Sequence, residues 1–338
     1  MAIFGDSYQR PVYHGGDLDS IRRIYGGDAS SWIDLSTGIN PSSYPVPTIP
    51  ADNWARLPGG QTEQNLLQAA RDYYQIPDHF DLIAAPGTQS LIQRLPYLLP
   101  SNLQIAISKP TYTEHETCWR RAGHKIIALD GETQLADVAI VVSPNNPTGK
   151  IYSGTDLQKI REAHLKPGGL FIIDEAFMDM TPNQSAAKGF PSENLIILKS
   201  FGKFFGLAGI RLGFATGDAS LIQKLRDEFG PWAVSGPAAF IGTAAYQDAK
   251  WTENAHAKLD RDAKQLSDLI ISSGGHILAN TGLFVTAEFD DAYNLFEHLC
   301  RHHILTRPFE YADRWLRFGI PANEAAWARL QDALTQYS

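Results

Sequence analysis

The distribution of apolar residues predicts alternating strands and helices over the first two thirds of the chain. Short apolar runs recur at residues 82–85, 104–107, 125–129, 138–142, 170–173, 195–198 and 212–216. An amphipathic helical pattern covers residues 62–74, and another helix is expected from Ser90. Continuous apolar strands that alternate with helices are typical of a mostly parallel sheet buried on both faces. We therefore predict an α/β fold with such a sheet.

The two ends of the chain follow other patterns. Residues 1–45 are interpreted as an N-terminal arm and connector that packs with a small domain, because a proline-rich run follows them. Residues 46–245 are predicted to form a large domain. Residues 246–338 are predicted to form a smaller α+β domain, and a single long helical stretch from Ala238 to about Ile271 leads into it.

Composition narrows the class of protein. The chain has 338 residues and a net charge of −8, which argues against a nucleic-acid-binding surface. Its two cysteines, Cys118 and Cys300, allow neither a disulfide framework nor a cysteine-based zinc site, and no metal site is expected. Neither a signal peptide nor a membrane span is indicated. We expect a cytoplasmic protein with no membrane partner.

The stretch from Lys199 to Gly213 contains the residues that most clearly indicate a catalytic or cofactor-binding role. Lys203 lies among small and apolar residues, and a desolvated lysine is a nucleophile that can form a Schiff base. Ser200 and Arg211, on either side of it, are suited to holding a phosphate. An amine nucleophile beside a phosphate clamp indicates pyridoxal phosphate. A surface lysine in a glycine-rich loop is the alternative interpretation of this stretch alone.

Further candidates follow other predicted strands, where ligands bind in open α/β sheets. The backbone of Gly87, Thr88 and Gln89 precedes a helix and can face a phosphate, although an ordinary strand-to-helix turn would look similar. Tyr112 follows the next strand and can stack on a flat heteroaromatic ring, or it can be a core tyrosine.

Two polar side chains end the middle strands. The turn from Ser143 to Gly149 places Asn146 at the edge of the sheet, where its amide can donate to the phenolic oxygen of the cofactor. Asp174 ends a buried strand and needs a cation or a proton, which a pyridinium nitrogen would supply. A helix N-cap is the alternative role for Asp174.

Arginines in the last third of the chain suit a substrate anion. Arg317 ends a late strand, and its forked guanidinium matches an α-carboxylate. Arg307 is a second cation nearby in sequence. Both could equally form salt bridges at the rim of the protein.

In their order and spacing, these segments resemble the fold-type I pyridoxal phosphate enzymes, and within them the class I/II aminotransferases of the histidinol-phosphate branch. The resemblance covers nearly the whole chain and rests on Gly87-Thr88, Tyr112, Asn145 to Gly149, Asp174 to Phe177, Ser200 to Lys203, and Arg317. It implies a homodimer with its site at the subunit interface. It implies Lys203 as the Schiff-base lysine, Asp174 on the ring nitrogen, Asn146 on the phenolic oxygen, Tyr112 on the ring, Thr88, Gln89, Ser200 and Arg211 on the phosphate, and Arg317 on the substrate carboxylate.

Other segments are similar to the threonine-phosphate decarboxylases of cobalamin biosynthesis. They are Tyr13 to Asp17, Asp34 to Pro41, Pro110 to His115 and Asp174 to Asp179. Aminotransferases of this branch usually carry tyrosines where this chain has Phe177 and Leu57. Both departures agree with the decarboxylase branch.

The resulting expectation is decarboxylation of O-phospho-L-threonine to (R)-1-aminopropan-2-yl phosphate. His14, Asn40 and Arg307 are candidates for the substrate phosphate and its surroundings, and Asn146 and Arg317 complete the expected substrate-binding set. The first alternative is transamination of histidinol phosphate or a related amino acid. A non-catalytic pyridoxal-binding sensor domain and a nucleotide-binding α/β protein are weaker alternatives, because neither a DNA-binding extension nor a P-loop is found.

Overall fold

A computed structural model describes residues 15–129 and 134–337. These residues divide into two compact units. The larger unit comprises residues 42–257, and the smaller one combines residues up to 41 with those from 258 onwards.

The element bounds are as follows. The helices are α1 (Leu18–Tyr25), α2 (Ala51–Ala55), α3 (Gly60–Tyr74), α4 (Thr88–Arg94), α5 (Thr113–Arg121), α6 (Gly154–His164), α7 (Phe201–Phe204), α8 (Ala219–Phe229), α9 (Gly236–Gln247), α10 (Ala249–Ser272), α11 (Ala292–Arg301) and α12 (Glu324–Tyr337). The strands are β1 (Ile33–Asp34), β2 (Asp81–Ala85), β3 (Gln104–Ile107), β4 (Lys125–Ala128), β5 (Ala136–Val142), β6 (Leu165–Asp174), β7 (Leu195–Ser200), β8 (Gly213–Gly217), β9 (His276–Asn280), β10 (Phe284–Glu288), β11 (Ile304–Leu305), β12 (Arg307–Phe309) and β13 (Ala312–Gly319).

The larger unit is built on a seven-stranded sheet in the order β2-β8-β7-β6-β5-β3-β4. β8 is antiparallel to both of its neighbours, and the other strands run in parallel. The predicted α/β class and the mostly parallel sheet are therefore confirmed. Because β8 is reversed, its first residue lies at the edge where the other strands end.

Side chains on the central strands alternate between the two faces of this sheet. On one face, Ile172 and Leu198 belong to a buried apolar cluster that includes Leu91 of α4, Trp119 of α5 and Ile222 of α8. The next residue outward on that face of β6 is Asp174. The adjacent Glu175 points to the opposite face.

The opposite face contains a buried ion pair. The ammonium of Lys199 donates to Glu175 Oε2, and the two side chains are 3% and 0% exposed. Ser185 Oγ donates to the same oxygen at 2.7 Å, and the backbone N–H of Ala186 donates to Oε1 at 2.7 Å. Both carboxylate oxygens thus have donors, which offsets part of the cost of burying the charge.

The smaller unit contains an antiparallel sheet in the order β12-β13-β10-β9. Separately, β1 pairs in parallel with β11, with Ile33 opposite Ile304. Residues from both ends of the chain therefore build this unit.

The helical stretch that the sequence predicts from Ala238 to about Ile271 is two helices. α9 ends at Gln247, and α10 begins at Ala249. Asp248 separates them because its side chain accepts a hydrogen bond from the Trp251 backbone N–H at 2.9 Å, which caps the start of α10. Among the residues that the structure describes, no helix is both long and apolar enough to span a membrane.

The replacement Lys199→Met should strongly destabilise the larger unit. It would leave the Glu175 carboxylate buried without its cation, which typically costs about 3–5 kcal/mol. Urea denaturation would measure this loss. The exposed pair Lys264–Asp268 provides a matched control, because Lys264→Met should cost less than about 1 kcal/mol. Equal effects of the two replacements would contradict this account of the buried pair.

Candidate active site

Residues that the sequence singles out gather at one edge of the seven-stranded sheet. Asp174 is the last residue of β6, and the segments directly after β2, β3, β5 and β7 carry Thr88, Tyr112, Asn146 and Lys203 respectively. Carboxyl ends of parallel strands share an edge, so the topology brings these loops together. The reversed direction of β8 adds the residue that precedes it, Arg211.

Asp174 has a partner that the sequence did not reveal. Its Oδ2 lies 2.9 Å from Nε2 of His115, and both side chains are buried. Its Oδ1 accepts the backbone N–H of Ala176 at 3.0 Å. His115 lies three residues after Tyr112 on α5, so one helical turn aligns the imidazole with the carboxylate. The N-cap alternative for Asp174 is wrong, because the next helical turn is Met178–Met180 and its N-cap is Phe177, so the contact with Ala176 belongs to a local turn.

The loop after β2 forms a backbone cradle. Gly87 has φ +80, and a Cβ atom there would lie 2.7 Å from the Nη2 atom of Arg211. A Cβ atom on Gly213 would lie 2.5 Å from the Thr88 backbone nitrogen. Two glycines therefore let the Arg211 guanidinium and the first backbone N–H groups of α4 approach each other closely. This arrangement suits a phosphate.

Lys203 is half-buried on α7, directly after β7. Its ammonium lies 5.1 Å from the centroid of the Phe177 ring. Ser200, at the end of β7, is buried on the same face of the sheet as Asp174. β7 and the helix that follows it thus place the Ser200 hydroxyl and the Lys203 amine at the same edge of the sheet.

Tyr112 is fixed by a short chain of hydrogen bonds. Its hydroxyl donates to Oε1 of Gln89 at 3.1 Å, and the Gln89 amide donates to Glu114 at 2.6 Å. The side chain of Gln89 therefore orients Tyr112. The backbone N–H of Gln89 remains part of the cradle at the start of α4.

The turn after β5 is stabilised by Asn145, which precedes the predicted Asn146. Oδ1 of Asn145 accepts from the Thr111 hydroxyl at 2.6 Å, and its amide donates to the Pro110 carbonyl at 2.9 Å. Asn145 thereby ties the β5 turn to the β3 turn that carries Tyr112. Asn146 itself is half-buried beside it.

The predicted anion-binding arginines lie in the smaller unit. Arg307 on β12 is directly opposite Arg317 on β13. Arg317 is buried, and its Nη2 donates to the Ser36 carbonyl at 2.5 Å. Burial and, to a lesser extent, the charge of Arg307 lower the pKa of Arg317 to about 9, while Tyr311 and Asp34 act in the other direction. Two adjacent guanidiniums favour an anionic ligand.

Two further predicted substrate-binding residues belong to the N-terminal part. Asn40 is buried in the smaller unit. His14 lies outside the described residues.

The donor set of the larger unit fits pyridoxal phosphate. The glycine cradle would hold a phosphate, Lys203 offers an amine, and Asp174 offers a carboxylate acceptor within a buried environment. These are the phosphate, aldehyde and ring-nitrogen partners that such a cofactor requires.

The family model for class I and II aminotransferases matches residues 50–329 of this chain. The chain belongs to this family. Family membership confirms the expected fold-type I architecture and the expected dependence on pyridoxal phosphate.

Individual relatives refine the comparison. The chain is 43% identical to a threonine-phosphate decarboxylase from Sinorhizobium sp, over 96% of this chain and 98% of the relative. It is 38% identical to a threonine-phosphate decarboxylase from Pseudomonas aeruginosa, over 95% and 96% of the two chains. A histidinol-phosphate aminotransferase from Sinorhizobium meliloti, solved in complex with pyridoxal-5'-phosphate, has a TM-score of 0.81 at 17% identity over 100% of this chain and 99% of that one.

We expect Gly213→Ala to weaken cofactor binding. The new methyl group would push the Thr88 backbone away from Arg211, and loss of one charge-assisted hydrogen bond would weaken affinity about tenfold or more, or about 1.4 kcal/mol. Absorbance titration of the protein with pyridoxal phosphate would measure this change. Gly209→Ala is the control, because a Cβ atom there has nothing within 4 Å. Unchanged affinity in Gly213→Ala would contradict the cradle.

Proposed function

We propose that the protein is a pyridoxal phosphate-dependent decarboxylase that converts O-phospho-L-threonine to (R)-1-aminopropan-2-yl phosphate in cobalamin biosynthesis. The observation that carries this proposal is the 43% identity to a threonine-phosphate decarboxylase over nearly the full length of both chains. The phenylalanine ring at position 177 beside Lys203 agrees with it, because a tyrosine is usual at this place in the aminotransferases.

The proposed roles of the site residues follow from their chemistry. Lys203 would hold the cofactor through its amine, and Asp174, held by His115, would keep a proton on the ring nitrogen. Thr88, Ser200 and Arg211 would hold the phosphate, with the Gln89 backbone. Tyr112 would lie on the ring, and Asn146 would donate to the phenolic oxygen.

The reaction removes carbon dioxide from the substrate and adds one proton to the carbon atom that carried it. Bound pyridoxal phosphate would supply an electron-poor ring that accepts the electron pair left on this carbon atom when carbon dioxide departs. The carboxylate of Asp174 would favour this uptake of electrons by stabilising the positive charge on the ring nitrogen. Lys203 Nζ would be the group that delivers the proton to this carbon atom.

The substrate carries two anionic groups, and the smaller unit provides two adjacent cations. We assign the α-carboxylate to Arg317, whose planar guanidinium matches it in a bidentate manner. We assign the phosphate to Arg307, with His14 and Asn40 as further donors. These assignments rest on charge and on the opposed positions of the arginines across β12 and β13.

Transamination is the alternative reaction for this site. Relatives named histidinol-phosphate aminotransferase are 24% to 29% identical to this chain. Their lower identity favours the decarboxylase.

The deciding experiment supplies O-phospho-L-threonine to the cofactor-loaded protein and follows carbon dioxide and the cofactor spectrum together. We expect steady carbon dioxide release. Lys203→Ala and Asp174→Asn should each lower turnover by about 100-fold or more, the range for loss of a positioned proton-transfer or charge-stabilising group. Conversion of the cofactor to its amine form without carbon dioxide release would instead establish an aminotransferase.

We also propose that the enzyme is a homodimer that acts in the cytoplasm. Trp54 and Trp232 are 67% and 57% exposed, and their segments meet where the Asn53 carbonyl contacts Gly236. Large exposed apolar side chains on adjoining segments are typical of interaction surfaces. A cytoplasmic location is consistent with a phosphorylated substrate, because charged phosphate esters do not cross membranes unaided.

Replacing both tryptophans, as Trp54→Glu with Trp232→Glu, should shift the protein toward monomer, because each carboxylate would have to be desolvated in the interface. Analytical ultracentrifugation would measure the distribution. Ile271→Glu, which alters an equally exposed apolar residue on α10, is the control. A double variant that remains dimeric, or a monomeric wild type, would contradict this assignment.

A further inference from the structure

Asp179 is a buried carboxyl group that the proposed reaction does not use. It lies on the 3₁₀ turn Met178–Met180, and the residue is 3% exposed. Its Oδ1 accepts a hydrogen bond from the Tyr73 hydroxyl at 3.1 Å. Its Oδ2 has no hydrogen-bond partner within residues 15–129 and 134–337. An ionised carboxylate with an unpartnered oxygen in this position would be costly.

The groups that face Asp179 come from four elements. Tyr73 and Tyr74 project from α3, Tyr246 from α9, Lys199 from β7, and Glu175 follows β6. Burial raises the pKa of Asp179 from 3.8 to about 7; Lys199 and the Tyr73 hydrogen bond act against this rise, and Glu175 adds to it. Burial also raises the pKa values of the three tyrosines, so they remain neutral donors. Lys199 is already engaged by Glu175.

The Asp179 turn is mechanically linked to the active site. Glu175 anchors the start of the segment through Lys199, and the Met178 backbone N–H donates to the Glu175 carbonyl at 3.0 Å. Between these anchors, Phe177 places its ring 5.1 Å from the Lys203 ammonium. The turn that holds Asp179 therefore sets the position of a ring in contact with Lys203.

A second path leads from the same carboxyl group to the same lysine segment. The Tyr73 ring lies 5.5 Å from the Phe205 ring, and Phe205 follows α7 directly. Phe205 in turn stacks on Phe201 at 4.5 Å, at the start of the lysine helix. The hydrogen-bond partner of Asp179 thus packs against the helix that carries Lys203.

We propose that Asp179 is a positioning residue that carries a proton in the working enzyme, and that loss of this proton displaces Phe177, beside the Lys203 ammonium, and Phe205, directly after the helix that carries Lys203. Among the described residues the neutral carboxyl also leaves Oδ2 without a partner, but an uncharged group costs much less to bury than the anion. The anion requires a further donor at Oδ2, which it can recruit by drawing on Lys199, by turning the Tyr74 or Tyr246 hydroxyl toward it, or by admitting water, and each of these changes moves the turn. The enzyme therefore contains a buried proton switch near neutral pH.

The first test measures the proton itself and is independent of the reaction catalysed. Infrared spectra of the cofactor-loaded wild type, minus those of Asp179→Asn, should contain the carbonyl band of a protonated carboxyl that disappears with a midpoint near pH 7. Tyr73→Phe should move this midpoint upward, because it removes a hydrogen bond that favours the anion. Absence of the band below pH 7 would overturn the proposal.

Stability provides a second measurement with a defined sign. A carboxyl with a raised folded-state pKa stabilises the fold at low pH, and this contribution is lost as pH rises from about 4 to about 7. The urea midpoint of wild type should therefore fall relative to that of Asp179→Asn over this range. Asp72→Asn, an exposed carboxyl replacement beside Tyr73 on α3, should run parallel to wild type. Parallel curves for wild type and Asp179→Asn would contradict the switch.

The catalytic part of this inference rests on the proposed function. With O-phospho-L-threonine, kcat of wild type should decline through the infrared midpoint with little change in KM, and Asp179→Asn should lack this step. An infrared step without a matching step in kcat would overturn the positioning role while leaving the proposed function intact. Failure to release carbon dioxide at any pH would instead refute the proposed function, with the infrared result standing separately.

Discussion

The structure depends on a constraint at the end of β6, where two successive buried carboxylates must both find partners. Strand geometry sends Asp174 to one face of the sheet and Glu175 to the other. Asp174 is met by His115, and Glu175 is met by Lys199. This alternation therefore puts Asp174 on the face that carries the candidate site and Glu175 on the face that carries the buried ion pair. The Lys199–Glu175 ion pair fixes the end of β6 and so helps to hold the adjacent Asp174 in place.

The cations that the proposed anion sites would use form local clusters in an acidic protein. The net charge is −8, yet the larger unit places Arg211 against the Gly87 loop, and the smaller unit places Arg307 opposite Arg317. In each cluster the backbone geometry fixes where the guanidinium groups lie. Overall charge thus carries little information about the ligand, whereas the position of a few arginines carries much.

The sequence was sufficient for those features that reside in contiguous segments. The parallel sheet follows from apolar runs, and the candidate roles of Lys203 and Asp174 follow from short motifs with fixed spacing. Contacts between distant segments were not predictable. The His115–Asp174 contact and the Lys199–Glu175 pair were missed because, in each case, nothing local in either segment indicates the other. The break at Asp248 was missed because a single capping side chain interrupts an otherwise continuous helical pattern.

The reversed strand β8 has a consequence for how the protein comes to bind its cofactor. Ala85 pairs with Gly213, so the loop that begins at Gly87 acquires its arginine only after a long stretch of intervening chain has been synthesised. Closing so large a loop costs conformational entropy before its contacts form, and such pairings form slowly. The cradle is therefore a late product of folding. If this cradle holds the cofactor phosphate, as proposed, a chain that stops short of β8 lacks the arginine that would complete it.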